Sequence, residues 1–210
     1  MLIITIKQGK EKSLLAGEPW IYASAIERVD GKPQEKMKPG STALVQSSST
    51  KFLARAAYNS RSQIRARVWS FDPNEVIDHA MIKRRVKAAL DKRASSLKKT
   101  GELLRLVNAE EDGLPGLLVD TFGGAKGYLI CQFQAGGVDA WKVAIVQALI
   151  SNTGCTNVYE RCDPLIRKGE GLPVIDGALS GDEPPDEVIV TDKGGRYAID
   201  LKTGASSKFR

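Results

Sequence analysis

Residues 62–72 read SQIRARVWSFD, and the alternation in this stretch decides how the first part of the chain folds. Successive side chains of a β-strand point to opposite faces, so Ile64, Ala66 and Val68 share one face. The opposite face carries two cations and two large aromatic rings, which are Arg65, Arg67, Trp69 and Phe71. The pattern predicts a strand that buries its apolar face.

Two explanations fit the charged and aromatic face of this strand. Arginine stems and aromatic rings can cover apolar surface under a neighbouring segment of the chain. Alternatively, arginine can bind RNA phosphates while aromatic rings stack on unpaired bases. Periodicity alone does not choose between them.

The composition of the chain is that of a soluble globular protein, with 210 residues, 42% hydrophobic and 27% charged. No apolar run approaches the roughly 20 residues that cross a bilayer, and the start does not resemble a signal peptide. We therefore expect a cytoplasmic protein without membrane contact. The three cysteines (Cys131, Cys155 and Cys162) and the single His79 argue against a disulfide framework or a metal site.

Charge is unevenly distributed along the sequence. Residues 1–105 carry 21 Lys and Arg against 10 Asp and Glu, a net of +11, whereas residues 106–210 carry 10 against 15, a net of −5. A basic first half suggests an anionic partner, of which nucleic acid is the obvious candidate. Solubility alone would also explain a modest excess.

Short strands dominate the first 73 residues, with Gly and Pro between them, which favours a small barrel or sandwich. We expect these strands at residues 2–6, 42–46, 52–58 and 63–71, and a short helix near 12–16. A helix is predicted at about 79–98, with Asp72 or Asp78 as its cap. Its outer face is either solvated or directed at phosphates, and it carries Lys83, Arg84, Lys87 and Lys92.

The following region reads as an α+β domain. Strands are expected at 103–107, 117–121, 128–134, 157–160, 174–179 and 187–192. A helix is expected at 138–151, and residues 161–171 are expected to form a charged loop. The sequence contains no G-x-G-x-x-G, P-loop or G-x-S-x-G motif, so it shows no visible catalytic apparatus.

Two polar stretches in this region are candidate sites. Glu110, Glu111 and Asp112 could bind metal or share a proton, but an acidic turn before a Gly-Pro loop is the favoured reading. The stretch YERCDPLIRKGEG could form either a salt-bridged loop or a polar site. The absence of a histidine near Cys162 in sequence argues against a nucleophilic role for this residue.

Four ordered stretches together resemble a known family: GKEKSLLAGEPWIYASAI, NSRSQIRARVWSFD, AEEDGLPGLLVDTFGG and YERCDPLIRKGEGL. They are similar to the amino-terminal half of bacterial large-subunit rRNA cytosine-C5 methyltransferases that begin with a PUA domain. The resemblance implies a small PUA-type RNA-binding β-barrel at 1–73 and a central α+β domain at 74–187. It also implies the start of a truncated Rossmann-like methyltransferase domain at 188–210.

The resemblance further implies which residues meet the substrate. RNA contact is expected for a set on the PUA-like domain: Lys10, Lys12, Trp20, Arg65, Arg67 and Trp69. A substrate-side loop is expected to involve Asp112, Gly113, Arg161, Asp163, Arg167 and Lys168. The family binds S-adenosylmethionine and attacks cytosine with a cysteine in a domain that follows, so the resemblance implies neither a bound cofactor nor a catalytic residue here.

The predicted function is therefore the RNA-binding amino-terminal portion of an rRNA methyltransferase, unable by itself to transfer methyl. A first alternative is a stand-alone PUA-type RNA-binding or assembly protein without catalytic activity. A second is that residues 74–190 bind a protein partner and the basic charge is incidental.

Overall fold

Alternating apolar residues bring six strands of the first part of the chain around one core. The computed structural model describes residues 1–208. The six strands are β1 (Leu2–Ile6), β2 (Trp20–Tyr22), β3 (Ile26–Asp30), β4 (Ser41–Gln46), β5 (Phe52–Tyr58) and β6 (Ile64–Ser70). They form the first sheet, in the order β2-β6-β5-β4-β1-β3. Only β1 and β4 pair in parallel.

The first sheet curls because its strands bury their apolar side chains in a single cluster. Leu2, Ile4, Val45, Ala66 and Val68 belong to this cluster. The strands predicted in this region are confirmed, as is the short helix, α1 (Lys12–Leu15). Strands β2 and β3 and a second short helix, α2 (Pro33–Met37), were not predicted from the sequence.

A second, five-stranded sheet lies at the centre of the remaining chain. Its strands are β7 (Leu104–Asn108), β8 (Leu117–Phe122), β9 (Tyr128–Phe133), β10 (Val158–Glu160) and β11 (Gly177–Ser180). They run in the order β11-β10-β9-β8-β7, and only β9 and β10 are parallel. The connection between that parallel pair contains the helices α4 (Gly136–Ala140) and α5 (Lys142–Thr153), as a parallel crossover requires.

One face of the central sheet is covered by α3 (His79–Lys92) and α5. Asp78 caps α3 by accepting a hydrogen bond from the Met81 amide at 2.8 Å, whereas Asp72 lies in the preceding turn. The predicted helix at 79–98 is too long. Arg93 leaves helical geometry with ψ at 26°, and residues Ala94–Lys98 form a 3-10 turn.

The other face of the central sheet is covered by a third sheet of three antiparallel strands. These are β12 (Val188–Asp192), β13 (Gly195–Ile199) and β14 (Ser206–Lys208). Val190 and Leu201 pack with Ile130 and Tyr159 of the central sheet. The molecule therefore has a mixed α and β architecture, with a curled sheet beside a layered domain.

Two sequence predictions in the central region need correction. The helix predicted at 138–151 is interrupted at Trp141, which separates α4 from α5. The predicted loop at 161–171 contains α6 (Pro164–Gly169). The sequence signal for α6 was present, because Asp163 caps it through the amides of Leu165 and Ile166 and Pro occupies its first turn.

Candidate nucleic-acid interface and the contact between the sheets

Three of the predicted RNA-contacting side chains are exposed on the first sheet and its connection. Lys10 and Lys12 flank the start of α1, and neither forms an ion pair with another described residue. Trp20 is 40% exposed, and its indole N–H donates to Glu110 Oε1 at 3.0 Å. These side chains offer two available positive charges and one accessible ring.

Arg67 points instead at acidic residues of the central domain. Its guanidinium lies 3.1 Å from Glu110 Oε1 and 3.2 Å from Glu170 Oε1. The same group lies 5.5 Å from the centre of the Trp20 ring, within cation–π range. Because its side chain is only 15% exposed, Arg67 forms a largely covered ion-pair bridge from the first sheet to the central domain.

Trp69 lies inside the hydrophobic core of the central domain. It is 4% exposed and packs in the same cluster as Ile82, Leu114 and Phe133. A Cβ placed on Gly137 would lie 3.2 Å from the indole ring, so the fit around this ring is tight. The central domain therefore covers this part of the β6 face.

Arg65 and Phe71, the other members of that face, have different environments. Arg65 donates to the Ser60 carbonyl oxygen and is half-buried. Phe71 is 41% exposed. RNA contact by Arg65, Arg67 and Trp69 stays a prediction, and contact by Trp69 would require the two domains to move apart.

Glu170 is the centre of the polar contact between the domains. Its buried carboxylate accepts from Ser62 Oγ at 2.6 Å and from Asn59 Nδ2 at 3.1 Å, in addition to Arg67. Asn59 Nδ2 also donates to the Glu170 carbonyl oxygen at 2.8 Å. Sequence reasoning missed Asn59, Ser62 and Glu110 as partners, because each is more than 40 residues from the side chain that it meets.

The two domains also approach through backbone alone. Gly40 has φ of +84°, and a Cβ at this position would lie 2.1 Å from the Gly136 carbonyl oxygen. Glycine is needed there both for the left-handed backbone and for the close approach. This contact joins the residue directly before β4 to the start of α4.

The Asp112–Gly113 turn is anchored rather than open. Asp112 Oδ2 accepts from Arg93 at 2.9 Å and from the Asn108 amide at 2.7 Å, and its side chain is fully buried. Burial raises the pKa of this carboxyl, but these hydrogen bonds outweigh that effect and hold the pKa below its usual value. The Gly113 carbonyl oxygen accepts from Arg85 at 2.6 Å.

The predicted substrate-side residues of the YERCDPLIRKGEG stretch separate into different roles. Arg167 is buried and donates to Asp139 at 2.6 Å and to the Phe133 carbonyl oxygen at 2.8 Å. Arg161 donates to the Leu201 carbonyl oxygen, whereas Lys168 is exposed. The stretch is therefore largely a salt-bridged structural element. Its role and that of Asp112–Gly113 in substrate contact stay predictions.

The cysteine thiols do not form a nucleophilic site in this part of the chain. Burial raises the pKa of Cys162 and of Cys131, which keeps both thiols protonated near neutral pH. Among residues 1–208, no three metal-binding side chains are grouped to hold an ion. No helix within the described region is long and apolar enough to span a membrane.

The chain is similar in sequence to known proteins over nearly its whole length. Residues 4–71 match the family described as PUA-like domain. The chain is 37% identical over 207 residues to the Ribosomal RNA large subunit methyltransferase I of Aliivibrio fischeri, covering 98% of this chain and 50% of that protein. It is 39% identical over 207 residues to the protein of the same name from Cronobacter sakazakii, with the same coverage.

Two solved structures have the same fold. A candidate SAM-dependent methyltransferase from Streptococcus mutans matches with a TM-score of 0.76 at 16% identity, covering 98% of this chain and 50% of that one. A candidate methyltransferase complexed with SAH matches with a TM-score of 0.75, covering 49% of its chain. The chain is thus homologous to rRNA large-subunit methyltransferases over nearly its whole length, while it spans about half the length of the curated relatives it matches.

Proposed function

We propose that this chain is the RNA-binding amino-terminal portion of an S-adenosylmethionine-dependent methyltransferase that acts on cytosine C5 of large-subunit rRNA in the cytoplasm. The observation that carries the proposal is the 37% to 39% identity to rRNA large-subunit methyltransferases over 98% of the chain. The PUA-like match at residues 4–71 supports RNA binding by the first sheet.

RNA contact on the first sheet is proposed for Lys10, Lys12, Trp20 and Arg65. The two lysines supply charge without an acidic partner among the described residues. The exposed ring of Trp20 offers a stacking surface for an unpaired base. For Arg67 and Trp69 the described contacts support a role in holding the two domains together.

The residues that the structure describes do not fit S-adenosylmethionine. A Rossmann-like domain binds its cofactor after a parallel strand, at a glycine-containing turn that opens a helix. Residues 188–208 instead form an antiparallel sheet packed on the central sheet. We therefore propose that the described residues alone transfer no methyl. Because the chain spans about half the length of the curated relatives it matches, we also propose that residues 188–210 begin a methyltransferase domain.

The test combines RNA binding with methyl transfer. The purified chain is incubated with large-subunit rRNA and labelled S-adenosylmethionine, and RNA affinity is measured on the same sample. We expect binding without incorporation of label. Stoichiometric labelling would overturn the proposed inactivity, and absence of binding would overturn the proposed RNA role.

A stand-alone RNA-binding or assembly protein is the second candidate. The third sheet favours it, because Val190 and Leu201 are already buried within this chain. The intact mass of the native protein in an extract decides between the two. A mass near 22.8 kDa supports the second candidate, and a mass roughly twice that, as one added catalytic domain implies, supports the first.

A further inference from the structure

An open groove between α3 and α5 has one cationic wall and one neutral polar wall. The cationic wall consists of Lys83, Arg84 and Lys87. The opposite side is lined by Gln147, Ala148, Ser151 and Asn152. We propose that this groove is a second contact surface for RNA, apart from the surface on the first sheet. The inference rests on the proposed RNA-binding function and assigns it a location on the central domain.

The cations of the groove are available to a phosphate. Lys83 forms no ion pair with any other described residue. Lys87 Nζ lies 2.6 Å from Asp91 Oδ2, but both side chains are about 60% exposed. Arg84 is 63% exposed and lies 3.3 Å from Glu75. Since exposed ion pairs contribute little net stability, a phosphate can replace Asp91 at Lys87 at small cost. Glu75 is more covered, but it keeps its 2.8 Å ion pair with Arg85 when Arg84 turns to a phosphate.

The other cations of the same helix are committed to the fold. Arg85 donates to the carbonyl oxygens of Trp69 and Gly113, both at 2.6 Å. Arg93, directly after the helix, lies 2.9 Å from the buried Asp112. The segment thus has two sets of cations: one points inward to structural partners, and the other lies along the groove. A helix face that is merely solvated does not require such a division.

The second wall of the groove adds neutral hydrogen-bonding groups that suit RNA. Helix α5 contains no Asp or Glu, so no carboxylate on this wall opposes a phosphate. Gln147 and Ser151 are exposed, and Asn152 uses its amide N–H to bind the Ala148 carbonyl oxygen at 2.7 Å. The amide oxygen of Asn152 remains as an acceptor. Amides and hydroxyls beside a cationic wall suit ribose 2′-hydroxyls and base edges next to phosphates.

The experiment measures how the affinity of the 210-residue chain for RNA depends on salt. The probe is a fluorescently labelled 30-nucleotide RNA stem–loop with a single-stranded extension, followed by anisotropy. The test variant is Lys83→Gln with Lys87→Gln. The matched control is Lys126→Gln with Lys193→Gln, which removes the same charge from two exposed positions outside the groove.

We expect the groove variant to make the slope of log affinity against log salt shallower by about two, since each phosphate contact contributes about one. Its affinity at low salt should fall on the order of tenfold, while the control should retain the wild-type slope. All four positions are exposed, so thermal unfolding should be the same in both variants.

A second variant tests the neutral wall. Replacing Gln147→Ala with Ser151→Ala should weaken RNA binding several-fold without changing the salt slope, because no charge is removed. The same variant should bind a DNA stem–loop of matching sequence as the wild type does, since DNA lacks the 2′-hydroxyl. Equal losses for RNA and DNA would remove the ribose contact from the proposal.

The outcomes separate this inference from the proposed function. If the wild-type chain does not bind the RNA, the proposed function itself fails. If the wild type binds and the groove variant behaves like its control, the groove is not an RNA surface while RNA binding stands. If the groove variant loses affinity for polyglutamate but not for RNA, the groove accepts an acidic protein and the inference is overturned.

Discussion

Two basic surfaces of this molecule have similar sequence signatures and different structural environments. The β6 face carries Arg65 and Arg67, and the outer face of α3 carries Lys83 and Lys87. Arg67 is 15% exposed between two carboxylates of the central domain. Lys87 is 59% exposed, and within residues 1–208 its one acidic partner is a neighbour on its own helix.

The difference between the two surfaces arises from acids that are distant in sequence. Glu110 and Glu170 reach Arg67 from 43 and 103 residues away. No acid from another element forms an ion pair with Lys83 or Lys87 in the described part of the chain. A basic stripe in a sequence therefore becomes a binding surface or a structural bridge according to which carboxylates the fold brings to it.

The largest expected effect is the loss of Trp69 from the contact between the domains. Trp69→Ala should reduce the free energy of unfolding by about 3–5 kcal/mol, because it leaves a cavity in a packed core. Chemical denaturation followed by circular dichroism measures this change. Trp20→Ala serves as the control, since that ring is 40% exposed and should cost far less. If Trp69→Ala and Trp20→Ala lose the same free energy of unfolding, the burial of Trp69 in the contact between the domains is contradicted.

A somewhat smaller effect is expected at Glu170. Glu170→Ala should destabilise the protein by about 3 kcal/mol, because Arg67 loses a covered partner and Asn59 and Ser62 lose an acceptor. The exposed Glu27 provides the control, and Glu27→Ala should change stability by at most about 0.5 kcal/mol. A Glu170→Ala variant as stable as wild type would mean that the polar bridge contributes no stability.

The smallest of these stability effects concerns Asp112 and depends on pH. Since its pKa is lower in the folded than in the unfolded state, its ionised form stabilises the fold above the unfolded pKa of about 3.9. This contribution is lost as pH falls through the folded pKa. Asp112→Asn should therefore cost about 2 kcal/mol at pH 7 and progressively less below about pH 4.

Unfolding titrations at a series of pH values test this prediction. Asp163→Asn is a suitable comparison, because that carboxylate caps α6 with a partly exposed side chain. If Asp112→Asn destabilises the protein equally at pH 3 and pH 7, the negative charge of Asp112 does not stabilise the turn, which contradicts the prediction.

The sequence was sufficient for most of the strands of the first sheet, because alternation and turn residues are local signals. The Asp78 cap was also a local signal and was predicted. The Asp163 cap was equally local, but the helix that it begins was predicted as a loop. The break at Trp141 and the end of α3 at Lys92 were missed. Apolar periodicity continues through both positions, and only the tertiary structure shows where the backbone leaves the helix.

The candidate site was less accessible to sequence reasoning. The alternation correctly separated the two faces of β6, with Val68 in the core of the first sheet and Trp69 in the core of the central domain. The alternation contained no information about which part of the chain covers the face that carries Trp69. Pairs such as Asn59 with Glu170 depend on the position of one domain against the other, which no local pattern encodes.

The most direct test of this account is one series of salt titrations of RNA affinity with three proteins: wild type, Arg67→Gln, and Lys83→Gln with Lys87→Gln. We expect Arg67→Gln to keep the wild-type slope, because Glu110 and Glu170 already pair with the Arg67 charge. We expect the lysine pair to make the slope shallower by about two. A shallower slope for Arg67→Gln together with an unchanged slope for the lysine pair would contradict the assignment of both surfaces.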